Sequence, residues 1–427
     1  MRTKSSSWRS ALALTAALAL SGGPAWSDPA PTGAEFRVNT SPEVKQSNPV
    51  GAVAPNGKTL LVWENSRLGL RGRFYNADGS PASAEIGLVA NQRLSGIQTR
   101  GIETLRIDPF LAFLPSGEFL LVWTEERDDV RIDIIEQREV LDRDVYVQRF
   151  TANAQKIGQP ARVNPAGPGF QSYPRVLLRG NLPALVVWQS DDRVAAATGD
   201  GVFGRYVTKA AGRPFGETFK VSLLPGLAGR PAVAGLPNGK FVVVWHQNDG
   251  QGLGVFARAF TLTPQGLPDP NSVQVRINSA LGGDQARPAV AARGAADYLV
   301  VWQAPGATAS EAHIFARFVS PNGDPAARIV QVSQKAGNTQ ISPSIVHFQN
   351  GNFLVTWLDW FQNGPLGVFG QTLDGQANRK GVEIKISEQP IGAHFRTAIA
   401  ASQSTIFVPY EGYFNQVNGI TARKLLP

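Results

Sequence analysis

Short apolar runs, each ending in tryptophan, recur along this chain. They are Leu61-Val62-Trp63, Leu121-Val122-Trp123, Val186-Val187-Trp188, Val243-Val244-Trp245, Val300-Val301-Trp302 and Val355-Thr356-Trp357. The tryptophans are 60, 65, 57, 57 and 55 residues apart, and a proline precedes each by 14 residues: Pro49, Pro109, Pro174, Pro231, Pro288 and Pro343. A seventh, degenerate copy has Thr397 in the proline place and Tyr410 in the tryptophan place, one residue closer. Self-similarity at such a period is the mark of a repeat architecture.

Each copy reads as four strands. The first follows the proline, as in Pro231-Ala232-Val233-Ala234-Gly235, and leads to a turn such as Pro237-Asn238-Gly239, an Asn-Gly hairpin signal. The second is the tryptophan run, rich in β-branched and aromatic residues and apolar enough to be buried on both faces. The third recurs as Gly-Val-Phe-x-Arg-x-Phe, clearest at Gly254–Phe260. The fourth ends in an apolar-basic-apolar-polar block such as Val275-Arg276-Ile277-Asn278 or Phe219-Lys220-Val221-Ser222.

The seventh copy stops after its third strand, and a stray fourth-strand block, Phe36-Arg37-Val38-Asn39, precedes the first copy. Pairing the two removes an exposed sheet edge. The expected fold is therefore all-β: a seven-bladed β-propeller of four-stranded antiparallel blades, its ring closed by an N-terminal strand. The pattern resembles the tandem VVVW…GVF-x-R-x-F repeats of bacterial secreted proteins of unassigned activity. That resemblance spans residues 36–425 and implies architecture, not chemistry. The Trp-Asp dipeptides, sialidase-type Asp boxes and integrin-type calcium loops of other propellers are missing from the sequence.

Composition agrees with short strands and turns: 44 Gly, 30 Pro and only 17% charged residues. The chain has no cysteine, which excludes disulfides, thiolate metal sites and Cys nucleophiles, and its four histidines are scattered. Residues 1–27 read as a secretory signal peptide. Arg2, Lys4 and Arg9 precede an apolar stretch from Ala11 to Leu20 and a small-x-small site at Ala25-Trp26-Ser27, with cleavage expected before Asp28. The mature domain is then 28–427, periplasmic or extracellular and monomeric, with its net charge reduced from +8 to +5. No basic stripe suggests nucleic acid, and no segment is long enough to span a membrane.

Shared residues serve the shared fold, so blade-to-blade differences are where function is sought. The residue before each first-strand proline should lie at the channel mouth. In order these are Asn48, Asp108, Tyr173, Arg230, Arg287, Ser342 and, in the seventh copy, Arg396, with Arg175 just inside blade 3. Arginines around a concave mouth favour an anionic ligand. Asp108, Tyr173, Arg175, Arg230, Arg287 and Arg396 are thus candidate ligand residues, together with Trp360, which lies outside the packing register. A second outlier is the blade 2 loop from Glu125 to Asp144, with nine acids and four arginines, able to dock a basic partner or hold a cation. No catalytic motif or cofactor fingerprint occurs. The primary expectation is a noncatalytic scaffold that binds a protein partner or an anionic glycan at its mouth; the alternative is a carbohydrate-active hydrolase or lyase with its site at the same mouth.

Overall fold

The computed structural model describes residues 29–426, except 42–43, 95–101, 128–141, 167–168, 192–199, 262–268, 270–271, 280–282, 307, 309–310, 361–366, 389–396, 403–404 and 415–416. Residues 1–28, Arg396 and most of the charged blade 2 loop lie outside the described residues. Every described element is a strand. The strands form seven antiparallel blades, numbered here in chain order, each running first, second, third, fourth strand outward. Blade 4 shows the plan: Ala228–Gly235, Phe241–Asn248, Leu253–Phe260 and Gln274–Arg276. The Asn-Gly and Ser-Gly turns close the first hairpins as expected, with Gly57, Gly117, Gly239 and Gly351 at φ of 81–87°, a conformation open to glycine.

Blade 7 joins both ends of the chain. Its second and third strands are Ile406–Phe414 and Val417–Leu426. Phe36 pairs with Ala422 and Arg37 with Thr421, and farther upstream Ala30 pairs with Leu426. In six of the seven blades, all but blade 1, the polar residue that ends the fourth strand accepts a third-strand N–H of its own blade. Asn39 takes Ile420 N–H at 2.7 Å, just as Asn164 takes Val145 at 2.8 Å and Asn278 takes Val255 at 2.9 Å. The N-terminal strand thus takes the fourth-strand place in blade 7.

Seven buried clusters hold the ring, and each spans two neighbouring blades. In each one the repeated aromatic wedges against the blade before it. Trp302 packs on Val242, Val244 and Ala257 of blade 4, and Tyr410 packs on Leu354 and Val368 of blade 6. Trp63 packs on Phe407 and Val38 and so seals blade 1 to blade 7. A buried tryptophan removes 150–250 Å² or so from water, which explains why the repeat keeps a large ring at this place.

The third-strand arginines lock the same interfaces. Arg205 and Arg258 reach back to the fourth-strand carbonyls of Val163 and Lys220 in the preceding blade, both at 3.0 Å. Arg73 does the same to Val38 O at 3.3 Å and Arg317 to Ile277 O. The same arginines stack on rings, as Arg258 over Phe260 at 4.8 Å, and donate through Nε to carbonyls outside the strands, as Arg73 to Ser83 O at 3.1 Å and Arg258 to Ser272 O at 3.0 Å.

Candidate functional site

The first strand of each blade is irregular where it begins. Register shifts interrupt its pairing beside the proline in blades 1 to 6. The residue before each of those prolines is left-handed: Asn48, Asp108, Tyr173, Arg230, Arg287 and Ser342 have φ between 49 and 54°. None is glycine, and the left-handed conformation costs an L-residue about 1–2 kcal/mol. A bulge of this kind re-aims a side chain. Here it turns six side chains out of the strand register at the inner rim.

The preceding blade stabilises the bulge. For five of the six, the residue just after its repeated aromatic accepts the backbone N–H of the left-handed residue; Thr124, in the same place before Tyr173, makes no such bond. Glu64 accepts Asp108 N–H at 2.6 Å, Gln189 accepts Arg230 at 3.1 Å and His246 accepts Arg287 at 3.2 Å. Gln303 accepts Ser342 at 3.0 Å, and Glu411 accepts Asn48 at 2.9 Å. Sequence reasoning did not single out these residues. Their signal was a polar side chain directly after an apolar run.

Tyr173, Arg175, Arg230 and Arg287 line one depression of about 90 Å³, with Ser342 and Thr397 on its far side. That is room for a carboxylate- or sulfate-sized group with a few waters, not for a whole sugar chain. The Arg230 guanidinium lies over the Tyr173 ring with its carbon 4.5 Å from the centroid, and Nη2 is 3.3 Å from Tyr173 Oη. Arg287 reaches the other way and donates to Ser342 Oγ. Arg175 stacks on Phe110 at 4.9 Å. His246 lies beneath Arg230 and Arg287; burial, reinforced by these two cations, pushes its imidazole down to about 4. It is neutral at physiological pH, and its Nδ1 acts as the acceptor for Arg287.

The other candidates lie elsewhere. Asp108 is buried at the blade 1–blade 2 junction and does not line the depression. Glu64 binds Ser47 Oγ at 2.9 Å and Asn48 Nδ2 at 2.7 Å besides Asp108 N–H. The mouth is therefore polarised, with Glu411, Glu64 and Asp108 around blades 7, 1 and 2, and the arginines around blades 3, 4 and 5. Trp360 ends the second strand of blade 6 and is 38% exposed, away from the depression. At the root of the charged blade 2 loop, Glu125 pairs with Arg106 at 3.1 Å and Arg127 at 3.3 Å, and Asp144 pairs with Arg162 at 3.4 Å. These acids hold the loop base together. No cluster able to hold a metal ion occurs among the described residues.

No family model and no curated protein matches the chain in sequence. Solved structures share the fold. A protein of unknown function from Dyadobacter fermentans superposes with a TM-score of 0.55 at 11% identity, covering 92% of this chain and 98% of its own. A polysaccharide lyase of family PL25, an ulvan lyase bound to a GlcA(1-4)Rha3S unit, gives 0.53 at 10% identity over 92% and 95%. The GH93 α-L-arabinofuranosidase of Fusarium graminearum in complex with arabinobiose gives 0.52 at 15% over 80% and 97%. These identities establish a common propeller architecture.

Proposed function

We propose that this propeller is a carbohydrate-active protein that seats the acidic group of an anionic saccharide between Arg230 and Arg287. One observation carries the reading: cationic side chains from blades 3, 4 and 5 line a depression sized for one such group. Two fold neighbours support it, since the lyase is bound to an acidic disaccharide unit and the arabinofuranosidase to a neutral one. Arginine suits the task, because its fork can offer two parallel N–H groups to a carboxylate or sulfate.

The test is Arg287→Glu, with affinity for acidic oligosaccharides measured by calorimetry. Loss of a charge-assisted pair costs about 1.5–3 kcal/mol, so the expected loss is roughly tenfold to a hundredfold. Neutral oligosaccharides should be unaffected. Unchanged acidic-saccharide affinity would overturn the reading and leave the exposed Trp360 rim as the better place to look for a protein partner. We also propose export, with residues 1–27 removed. The exported chain should have the mass of a protein starting at Asp28; a chain starting at Met1 would contradict this.

A further inference from the structure

We propose that the mouth catalyses elimination across the glycosidic bond of a uronide, with Tyr173 taking the proton from the carbon that bears the carboxylate. The inference rests on the acidic-saccharide reading above and adds a reaction to it. The C5 hydrogen of a uronide resists removal because the electron pair left behind adjoins a negative carboxylate. Seating that carboxylate on Arg230 and Arg287 cancels the charge, as electrostatic stabilisation of a developing anion requires. The base must then sit beside the neutralising cation.

Tyr173 meets that demand. Its Oη is 3.3 Å from Arg230 Nη2. A guanidinium carries only donors, so the phenol oxygen is the acceptor in this contact, and Arg230 is placed to balance the charge of its phenolate. C5 is bonded directly to the carboxylate carbon. A carboxylate hydrogen-bonded to Arg230 Nη2 at the usual distance of about 2.8 Å puts C5 roughly 3.5–5 Å from the nitrogen that Oη also contacts. Base and substrate carbon then share one guanidinium nitrogen, and proton transfer requires that they close to about 3 Å. The left-handed bulges at Tyr173 and Arg230 aim both side chains at the same rim, and the Gln189 and His246 contacts fix the backbone behind Arg230 and Arg287.

The step balances without a co-reactant. The Tyr173 phenolate takes H5, and the C5–H electron pair becomes the C4=C5 double bond. The C4–O4 bond breaks, and the departing O4 takes the proton from Tyr173, which returns to phenolate. No water is added to either product.

The test uses the full mature chain and a panel of galacturonate, glucuronate-containing and mannuronate/guluronate oligomers. Reaction is followed by the ultraviolet absorbance of the unsaturated uronide and by product mass. The wild type should form unsaturated ends on a uronide that it binds, and not on the same oligomer with its carboxylates reduced. Tyr173→Phe should keep the affinity within about threefold while turnover falls by roughly 10²–10⁴-fold. Products that have gained water, or Tyr173→Phe turning over normally, would overturn the inference. A uronide that binds and does not react would sink the elimination step alone; failure to bind any uronide would sink the saccharide reading with it.

Discussion

Asp359 closes off at 1% exposure beside the exposed Trp360. Asn338 donates to its Oδ2 at 3.3 Å, but burial dominates and pushes the carboxyl up to about 6, against the pull of Lys335. A carboxyl raised in the folded state favours the protonated form. Its stabilising effect is complete below about pH 3.8 and is lost as pH climbs through about 6. At neutral pH this carboxylate therefore costs the fold on the order of 2 kcal/mol. Asp359→Asn should raise Tm at pH 7.5 by a few degrees, with the gain vanishing by about pH 4. Equal melting of the two proteins at pH 7.5 would contradict this account. Nothing in the sequence distinguishes Asp359 from the other acids, because its burial depends on blade 5 and blade 6 residues that meet only in the ring.

The strand that enters from the N-terminus carries the ring's seam. Val38 is fully buried, and Phe36 packs on Tyr75 at 5.2 Å and Phe407 at 6.0 Å. Arg73 and Tyr75 of blade 1 both donate to Val38 O. Removing this strand would bare the third strand of blade 7 and strip the blade 7–blade 1 core. A chain that begins at Val44 should melt about 5–10 °C below one that begins at Asp28, and its open edge should make it aggregate. Unchanged melting and solubility would show that the seam is dispensable. This element was legible before any coordinates: the stray block and the incomplete seventh copy fit each other by composition alone. A short hairpin was not. Gln92–Leu94 pairs with the extended first strand of blade 2, Ile102–Phe113, and its Gln-Arg-Leu sequence has no repeat counterpart to mark it.

Across the whole molecule, six identical offsets between proline and tryptophan, with the degenerate seventh copy, carried the blade count and marked the residue before each proline. They could not show which mouth residues meet. Tyr173, Arg175, Arg230 and Arg287 share a depression because blades 3, 4 and 5 are consecutive, whereas Asp108 turns to the acidic side with Glu64. The side-chain directions depend on bulges that a strand pattern read at period two does not contain. Those bulges also decouple scaffold from specificity. At five of the six positions the left-handed residue is held through its backbone N–H by a neighbour, and at Asn48 the side chain also bonds a clamping residue, Glu64. Each rim position is in effect a socket, already occupied here by asparagine, aspartate, tyrosine, arginine and serine on the same frame. Such a molecule can be re-addressed from one target to another by exchanging socket occupants, while the cores between its blades stay untouched.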